Sequence, residues 1–306
     1  MTYQDILRDR ALADERLVVL TAENRALIRD LPPVLRDRFI DVGIAEQTMI
    51  GMAAGLALRG RIPVCHALAP FLLFRAYEFI RNSVAIPSLP VVLSGYIPGF
   101  LSDGNGPTHQ ALEDMSLMRG LPNMEVYCPA DLEDLLAMLP HVLGTSKPAY
   151  LRITTQASGF AHSAFQAGRA EVLSVGRDVN IVVAGYLFRE ALRARDLLEE
   201  QGISTGLINI RCLKPLDEEC LTEVLNTKSN IVTIEDHFRA GGLFTSLAEL
   251  VAKRGIRAKI IPFAMNDQWF KPALLKEVLQ YEGFTAESLS QKIFQEINTL
   301  MYVKFN

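Results

Sequence analysis

Apolar residues recur along this chain in two alternating rhythms. Short continuous runs, such as Leu17-Val-Val-Leu-Thr21 and Leu89-Pro-Val-Val-Leu-Ser94, are of the kind buried parallel strands show, because both faces of such a sheet are covered. Between them lie longer stretches with apolar positions three and four apart, the spacing of one face of a helix. Read in order, the pattern predicts a helix over 4–16 and strands at 17–21, 39–42, 62–66, 89–94, 124–128 and 149–153. Helices are predicted over 45–59, 71–82, 111–120 and 131–144. The charged segment 22–38, with Pro32-Pro33, reads as loop with a short helix. Periodicity fades over 154–176, and then a second alternation begins. It has strands at 179–185, 203–210, 230–235 and 258–263, helices over 188–201, 217–226 and 242–254, and one or two closing helices. Such alternation implies mainly parallel sheets with helices on both faces. The expected fold class is α/β: two doubly wound domains, 1–160 and 177–306, joined by a linker at 161–176.

Two stretches depart from this rhythm. In Phe39-Ile-Asp-Val-Gly-Ile-Ala-Glu-Gln47, Gly43 ends a strand. The helix that follows carries Gly51, Ala53, Ala54, Gly55 and Ala57, small residues that would let another backbone approach closely. Glu46 stands at the junction among apolar residues. Burial there would favour its neutral form; on an exposed first turn, the helix dipole would simply welcome a carboxylate. The second stretch, 95–110, is too long and too glycine-rich for a mere connector. It ends in Thr108-His109-Gln110, and histidine is the natural acid–base group near neutral pH. A lone loop histidine is more often a surface residue or a satisfied structural one. Phe71 and Phe74, at i and i+3, are most simply helix core.

Composition narrows the classes. With 306 residues, 49% apolar and 22% charged, the chain can bury a core in each of two domains. A net charge of −4 offers no electrostatic case for nucleic acid or an anionic membrane. No apolar run approaches the ~20 residues needed to span a bilayer. The start lacks the basic-then-apolar layout of a signal peptide, so a cytoplasmic location is expected. Cys65, Cys128, Cys212 and Cys220 have no metal-ligand spacing and read as free thiols in a reducing compartment. No metal site is expected within the chain.

Three segments together carry a resemblance: "DVGIAEQ…GMAAGLALRG", "DGNGPTHQALEDMSLMRGLPNMEVYCPAD" and "INIRCLKPLDEECL…NIVTIEDHFRAGG". In order and spacing they resemble the pyrimidine-binding and carboxyl-terminal domains of the transketolase family of thiamine-diphosphate enzymes. The resemblance implies that Glu46 hydrogen-bonds the aminopyrimidine of the cofactor, with Ile44, Phe71 and Phe74 around the ring. Leu68 stands where these enzymes usually carry another Phe. His109 would face the substrate as a catalytic and binding group, with Asn105 and Arg152 as further substrate contacts. The carboxyl-terminal domain, including Asp236, His237, Gly241 and Gly242, would be chiefly architectural.

The family's diphosphate-binding half carries a Gly-Asp-Gly motif, and none occurs here. A hard cation needs oxygen ligands, and a diphosphate needs backbone amides and metal. The resemblance therefore implies a carboxyl-terminal subunit of a split enzyme. Its amino-terminal partner would hold Mg²⁺ (or Ca²⁺) and the diphosphate, most simply in a heterotetramer. The implied reaction is transfer of a two-carbon ketol unit from a ketose to an aldehyde. Alternatives are decarboxylative carboligation, as in 1-deoxy-D-xylulose-5-phosphate synthase or the β subunit of a 2-oxo acid dehydrogenase, and a regulatory or scaffold subunit without turnover. Retention of Glu46 and Thr108-His109-Gln110 argues against the last. Where the family binds sugar phosphates with a histidine and an arginine, this chain has Ile97 and Thr155, and a sugar-sensing Asp is replaced by Asn105. A simple terminal sugar phosphate is thus not the expected acceptor, unless Arg152 or the partner supplies the missing cation.

Overall fold

The computed structural model describes residues 1–227 and 229–304, with side chains as far as Asn298. Its strands are β1 (Leu17–Thr21), β2 (Phe39–Asp41), β3 (Ile62–Leu68), β4 (Val92–Tyr96), β5 (Glu125–Tyr127), β6 (Ala149–Ile153), β7 (Glu171–Ser174), β8 (Val179–Ala184), β9 (Thr205–Ile210), β10 (Cys212–Lys214), β11 (Asn230–Phe238) and β12 (Ile260–Met265). They form a seven-stranded sheet in the order β10-β5-β6-β4-β3-β1-β2 and a five-stranded sheet in the order β12-β11-β8-β9-β7. All pairings are parallel except β10 on β5 and β7 on β9. Alternate residues of β1 face opposite sides. Val18 and Leu20 join one buried cluster, Leu17 and Val19 another, which is why the strand reads as an unbroken apolar run.

The two halves share more than a linker. After β9 a single residue, Arg211, separates the second sheet from β10, which pairs with β5 and closes the edge of the first. Arg211 is 2% exposed, and its Nε donates to Asp134 Oδ1 at 2.7 Å. One core cluster holds Leu20, Met49 and Leu93 from the first half together with Val182, Ile208 and Leu247 from the second. Neither β10 nor β7 stands out in the sequence: β10 is three residues long and runs into Pro215, and β7 is a four-residue edge strand lying inside the segment read as linker. The helix expected over 71–82 is divided into Ala69–Phe74, Tyr77–Phe79 and a π-helical turn, Ile80–Ala85.

Before β7, the connecting segment is pinned by a histidine. His162 Nε2 lies 2.8 Å from Asp131 Oδ2, and Nδ1 lies 2.8 Å from Glu171 Oε2. Asp131 also caps helix Leu132–Val142, through Asp134 N, so the clamp joins the linker to both halves. Burial opposes charge on the ring, but the two carboxylates prevail and lift His162 to about 9. The group is raised above its ordinary 6.5. Its stabilisation is therefore complete below that value and is lost as pH rises through about 9. We expect wild type to lose about 1–2 kcal/mol more than His162→Gln between pH ~6.5 and ~9.5, measured by denaturant melts. Parallel losses in the two proteins would show that the clamp contributes nothing.

Candidate active site

The site begins where β2 ends. Gly43, at φ +70, turns the chain out of the strand, a conformation that favours glycine. Asp41 fixes this turn, accepting from the backbone N–H of Gly43 at 3.1 Å and of Glu23 at 3.0 Å. Helix Glu46–Leu58 starts immediately after, and Ala45 gives it no side-chain cap. Glu46 therefore occupies the first turn with its carboxyl directed inward, at 4% exposure. Apolar burial is only part of its surroundings. Arg75 Nη1 donates to Glu46 Oε1 at 3.1 Å and to Oε2 at 3.2 Å. The same guanidinium lies 4.0 Å over the Phe71 ring, so one cation is held by a carboxylate and an aromatic face together.

Phe71 and Arg75 are one turn apart, at the end of helix Ala69–Phe74. Gln47 Nε2 donates to Arg75 O at 3.0 Å and ties the two helices together. On the other side of Phe71 stands His109, with ring centroids 4.9 Å apart and edge to face. Its Nδ1 is 3.0 Å from Thr108 Oγ1. Glu46, Arg75, Phe71 and His109 are thus a continuous series, brought together from helix Glu46–Leu58, helix Ala69–Phe74 and the short turn Pro107–His109. Glu46, Arg75 and Phe71 border an open cavity of about 520 Å³, lined also by Ile44, Leu68 and Tyr96; His109 touches Phe71 but does not itself line the cavity.

The loop that carries His109 is laid down by the second half of the chain. Gln110 Nε2 donates to Phe270 O at 2.9 Å, and Asp103 Oδ2 accepts from Leu275 N at 2.8 Å. Phe100 inserts between Phe270 and Phe284. Gly99 passes so close to Asp236 that a Cβ there would lie 1.9 Å from its Oδ2.

Among the expected contacts, Ile44 is exposed at the mouth of the cavity and Glu46 and Phe71 line it. Phe74 packs against the hydrophobic core instead of lining the cavity. Asn105 is exposed near the loop tip. Arg152 is engaged elsewhere: it is 3% exposed, with Nε on Asp114 at 2.9 Å and Nη1 on Asp236 at 2.7 Å. Its guanidinium is thus held by two buried carboxylates, one from each half of the chain. Arg75 was not singled out in the sequence, although its place four residues after Phe71, on the same helix face, was a readable signal.

The Glu235-Asp236-His237 motif is structural in position. Glu235 accepts from the backbone of Leu243 and Phe244, capping helix Leu243–Arg254, and burial pushes it up to about 8. Burial pushes His237 down to about 4, and its Nε2 accepts from Ser116 N of the first half at 3.2 Å. Among the described residues there is no group of three or more His, Cys, Asp or Glu that could hold a metal ion, and no helix is long and apolar enough to cross a membrane.

Residues 3–159 match the family described as transketolase, pyrimidine binding domain, and residues 168–289 match transketolase, C-terminal domain. A 6-deoxy-6-sulfo-D-fructose transketolase subunit, SqwH, of Clostridium sp. is 36% identical over 82% of this chain and 80% of its own length. The 1-deoxy-D-xylulose-5-phosphate synthase of Caldanaerobacter subterraneus is 30% identical over 96% of this chain, which spans 49% of that protein. A solved structure titled "Split gene transketolase, inactive beta4 tetramer" superposes with a TM-score of 0.87 at 32% identity, covering 97% of each chain. Matched by that family in both of its halves, the chain belongs to the transketolase family.

Proposed function

We propose that this chain is the pyrimidine-binding subunit of a two-chain, thiamine-diphosphate-dependent enzyme that transfers a two-carbon ketol unit from a ketose to an aldehyde. The observation that carries the reading is Glu46: a buried carboxyl at a helix start, opening on a cavity walled by Phe71, Ile44 and Leu68. An aminopyrimidine needs a hydrogen-bond partner for its ring nitrogen and flat apolar walls, and these residues fit it. When bound, the cofactor supplies a nucleophilic thiazolium carbon that adds to a carbonyl. Glu46 would hold a proton at the ring nitrogen, and Phe71 would fix the plane of the ring. Arg75 would have to share or release the Glu46 carboxylate as the ring enters. His109, steadied against Phe71, would move protons at the donor oxygens. A decarboxylative carboligation is the second reading, favoured by the deoxyxylulose-phosphate synthase likeness over nearly the whole chain.

The diphosphate end of the cofactor calls for metal and backbone donors, for which the described residues offer no cluster. An amino-terminal diphosphate-binding subunit would supply them, with two copies of each chain in the assembly. The inactive β4 state named for the split relative supports this division. Titration calorimetry with Mg²⁺ should accordingly detect no tight cofactor binding by this chain alone and micromolar or tighter binding after mixing with such a subunit. Equally tight binding by the chain alone would overturn the division of labour.

A further inference from the structure

The Glu46 cavity already holds a flat group of its own. An aminopyrimidine would ask two things of these walls, a carboxyl for its ring nitrogen and an aromatic face to lie on. The Arg75 guanidinium takes both. Its Nη1 donates to Glu46 Oε1 at 3.1 Å and to Oε2 at 3.2 Å, so neither oxygen is left without a donor. Its central carbon lies 4.0 Å from the centre of the Phe71 ring, well inside the ~6 Å reach of a cation–π contact. Planar, stacked and rich in N–H donors, the guanidinium presents to Glu46 and Phe71 much of what the pyrimidine would present.

Arg75 is also free to leave. Its backbone is fixed, because Arg75 O accepts from Gln47 Nε2 at 3.0 Å, but its side chain is 47% exposed where that of Glu46 is 5%. The side chain can therefore turn outward without moving either helix. A second carboxylate, Glu23, lines the same cavity. Glu23 is exposed, and among the described residues its carboxylate has no hydrogen bond or ion pair. Its backbone is nonetheless held, at φ +59 and with its N–H on Asp41 Oδ1 at 3.0 Å. A non-glycine residue in that left-handed conformation is uncommon, and such strain gathers at ligand sites. Neighbouring Arg25 leaves Glu23 unclaimed, since its Nε donates to Asp41 Oδ2 at 2.9 Å.

We propose that Arg75 is a displaceable stand-in for the cofactor's pyrimidine: it occupies Glu46 and Phe71 in the unassembled chain and passes to Glu23 as the ring enters. The inference rests on the Glu46 cavity being the cofactor site. Arg75 is thus a positioning residue that keeps a buried carboxylate paired while no ring is present, since a buried charge without a partner is strongly destabilising. The ring must displace it, so the measured affinity falls below the intrinsic one by the fraction of chains in which Arg75 has already left.

The first test uses the full chain alone and thiamine, which carries the ring without the diphosphate and so needs no metal. Thiamine is titrated to millimolar concentration and followed by line broadening of its pyrimidine proton. Arg75→Ala should bind it about tenfold more tightly than wild type. Arg75→Lys, which keeps the charge but not the flat fork, should fall between the two, and it decides the matter if the alanine variant does not fold. Equal or weaker binding by the folded variants overturns the proposal. The second test uses the assembled enzyme and thiamine diphosphate with Mg²⁺, read by calorimetry. Glu23→Gln should weaken binding about threefold or more when Arg75 is present and leave it unchanged in Arg75→Ala, the pattern of two residues that act on one another. An unchanged affinity in Glu23→Gln, or a loss that persists in Arg75→Ala, overturns the passage to Glu23 and the proposal with it. An assembled enzyme that binds thiamine diphosphate while Arg75→Ala gains nothing would refute the stand-in and leave the cofactor reading in place; one that binds none would refute both.

Discussion

Glu46→Gln should leave the chain folded and reduce turnover of the assembled enzyme by about 10²–10⁴-fold, the usual span for removing a general acid–base group. Glutamine keeps the size and can still bond Arg75 through its amide oxygen, so the junction between β2 and its helix should survive. What it cannot do is hold an exchangeable carboxyl proton at the pyrimidine nitrogen. The sharper measurement is exchange of the cofactor's thiazolium proton in the assembled complex, which isolates this step from substrate binding and product release. Wild-type exchange in the variant would remove Glu46 from the mechanism, whatever happened to turnover.

The second large effect is on stability. Arg152→Met should cost about 3–5 kcal/mol, because it leaves two buried carboxylates without their cation. Asp114 and Asp236 are both 0% exposed, one from each half of the chain. Tyr150 Oη donates to Asp114 Oδ2 at 2.7 Å and would keep some compensation there; among the described residues no side chain other than Arg152 hydrogen-bonds the Asp236 carboxylate. Adding Asp236→Asn to Arg152→Met should return a substantial part of the loss. Denaturant unfolding of the two variants beside wild type is the measurement. A midpoint for Arg152→Met within about 1 kcal/mol of wild type would mean that the charges are relieved elsewhere and that the pair does not join the halves.

Much of this architecture was written into periodicity. Buried parallel strands are apolar on both faces, so β1, β3, β4, β8 and β11 announce themselves. Short edge strands do not, because β7 and β10 have one neighbour each and few residues to show a pattern. Residue pattern alone left Glu46 balanced between a solvated first turn and a buried site. Segment order and spacing tipped that balance. The partners were hidden for a physical reason. The pairs Arg75–Glu46, Arg152–Asp236 and His162–Asp131 join residues far apart in the chain, and nothing in local spacing says which cation meets which carboxylate. Arg152 shows the consequence: the sequence offers it as a spare cation, and the fold pairs it with two buried carboxylates.

The passage of the chain from β9 through Arg211 into β10 bears on where a protein of this kind can be divided. A break in the connecting segment would leave β5, in mid-sheet here, as a bare edge with unpaired N–H and C=O groups, an invitation to pair with other chains. It would also split a core cluster to which both sheets contribute. The halves are therefore not modules that recombination could exchange or that separate genes could encode with impunity. Selection can vary their surfaces independently, but must inherit the seam between them as one unit.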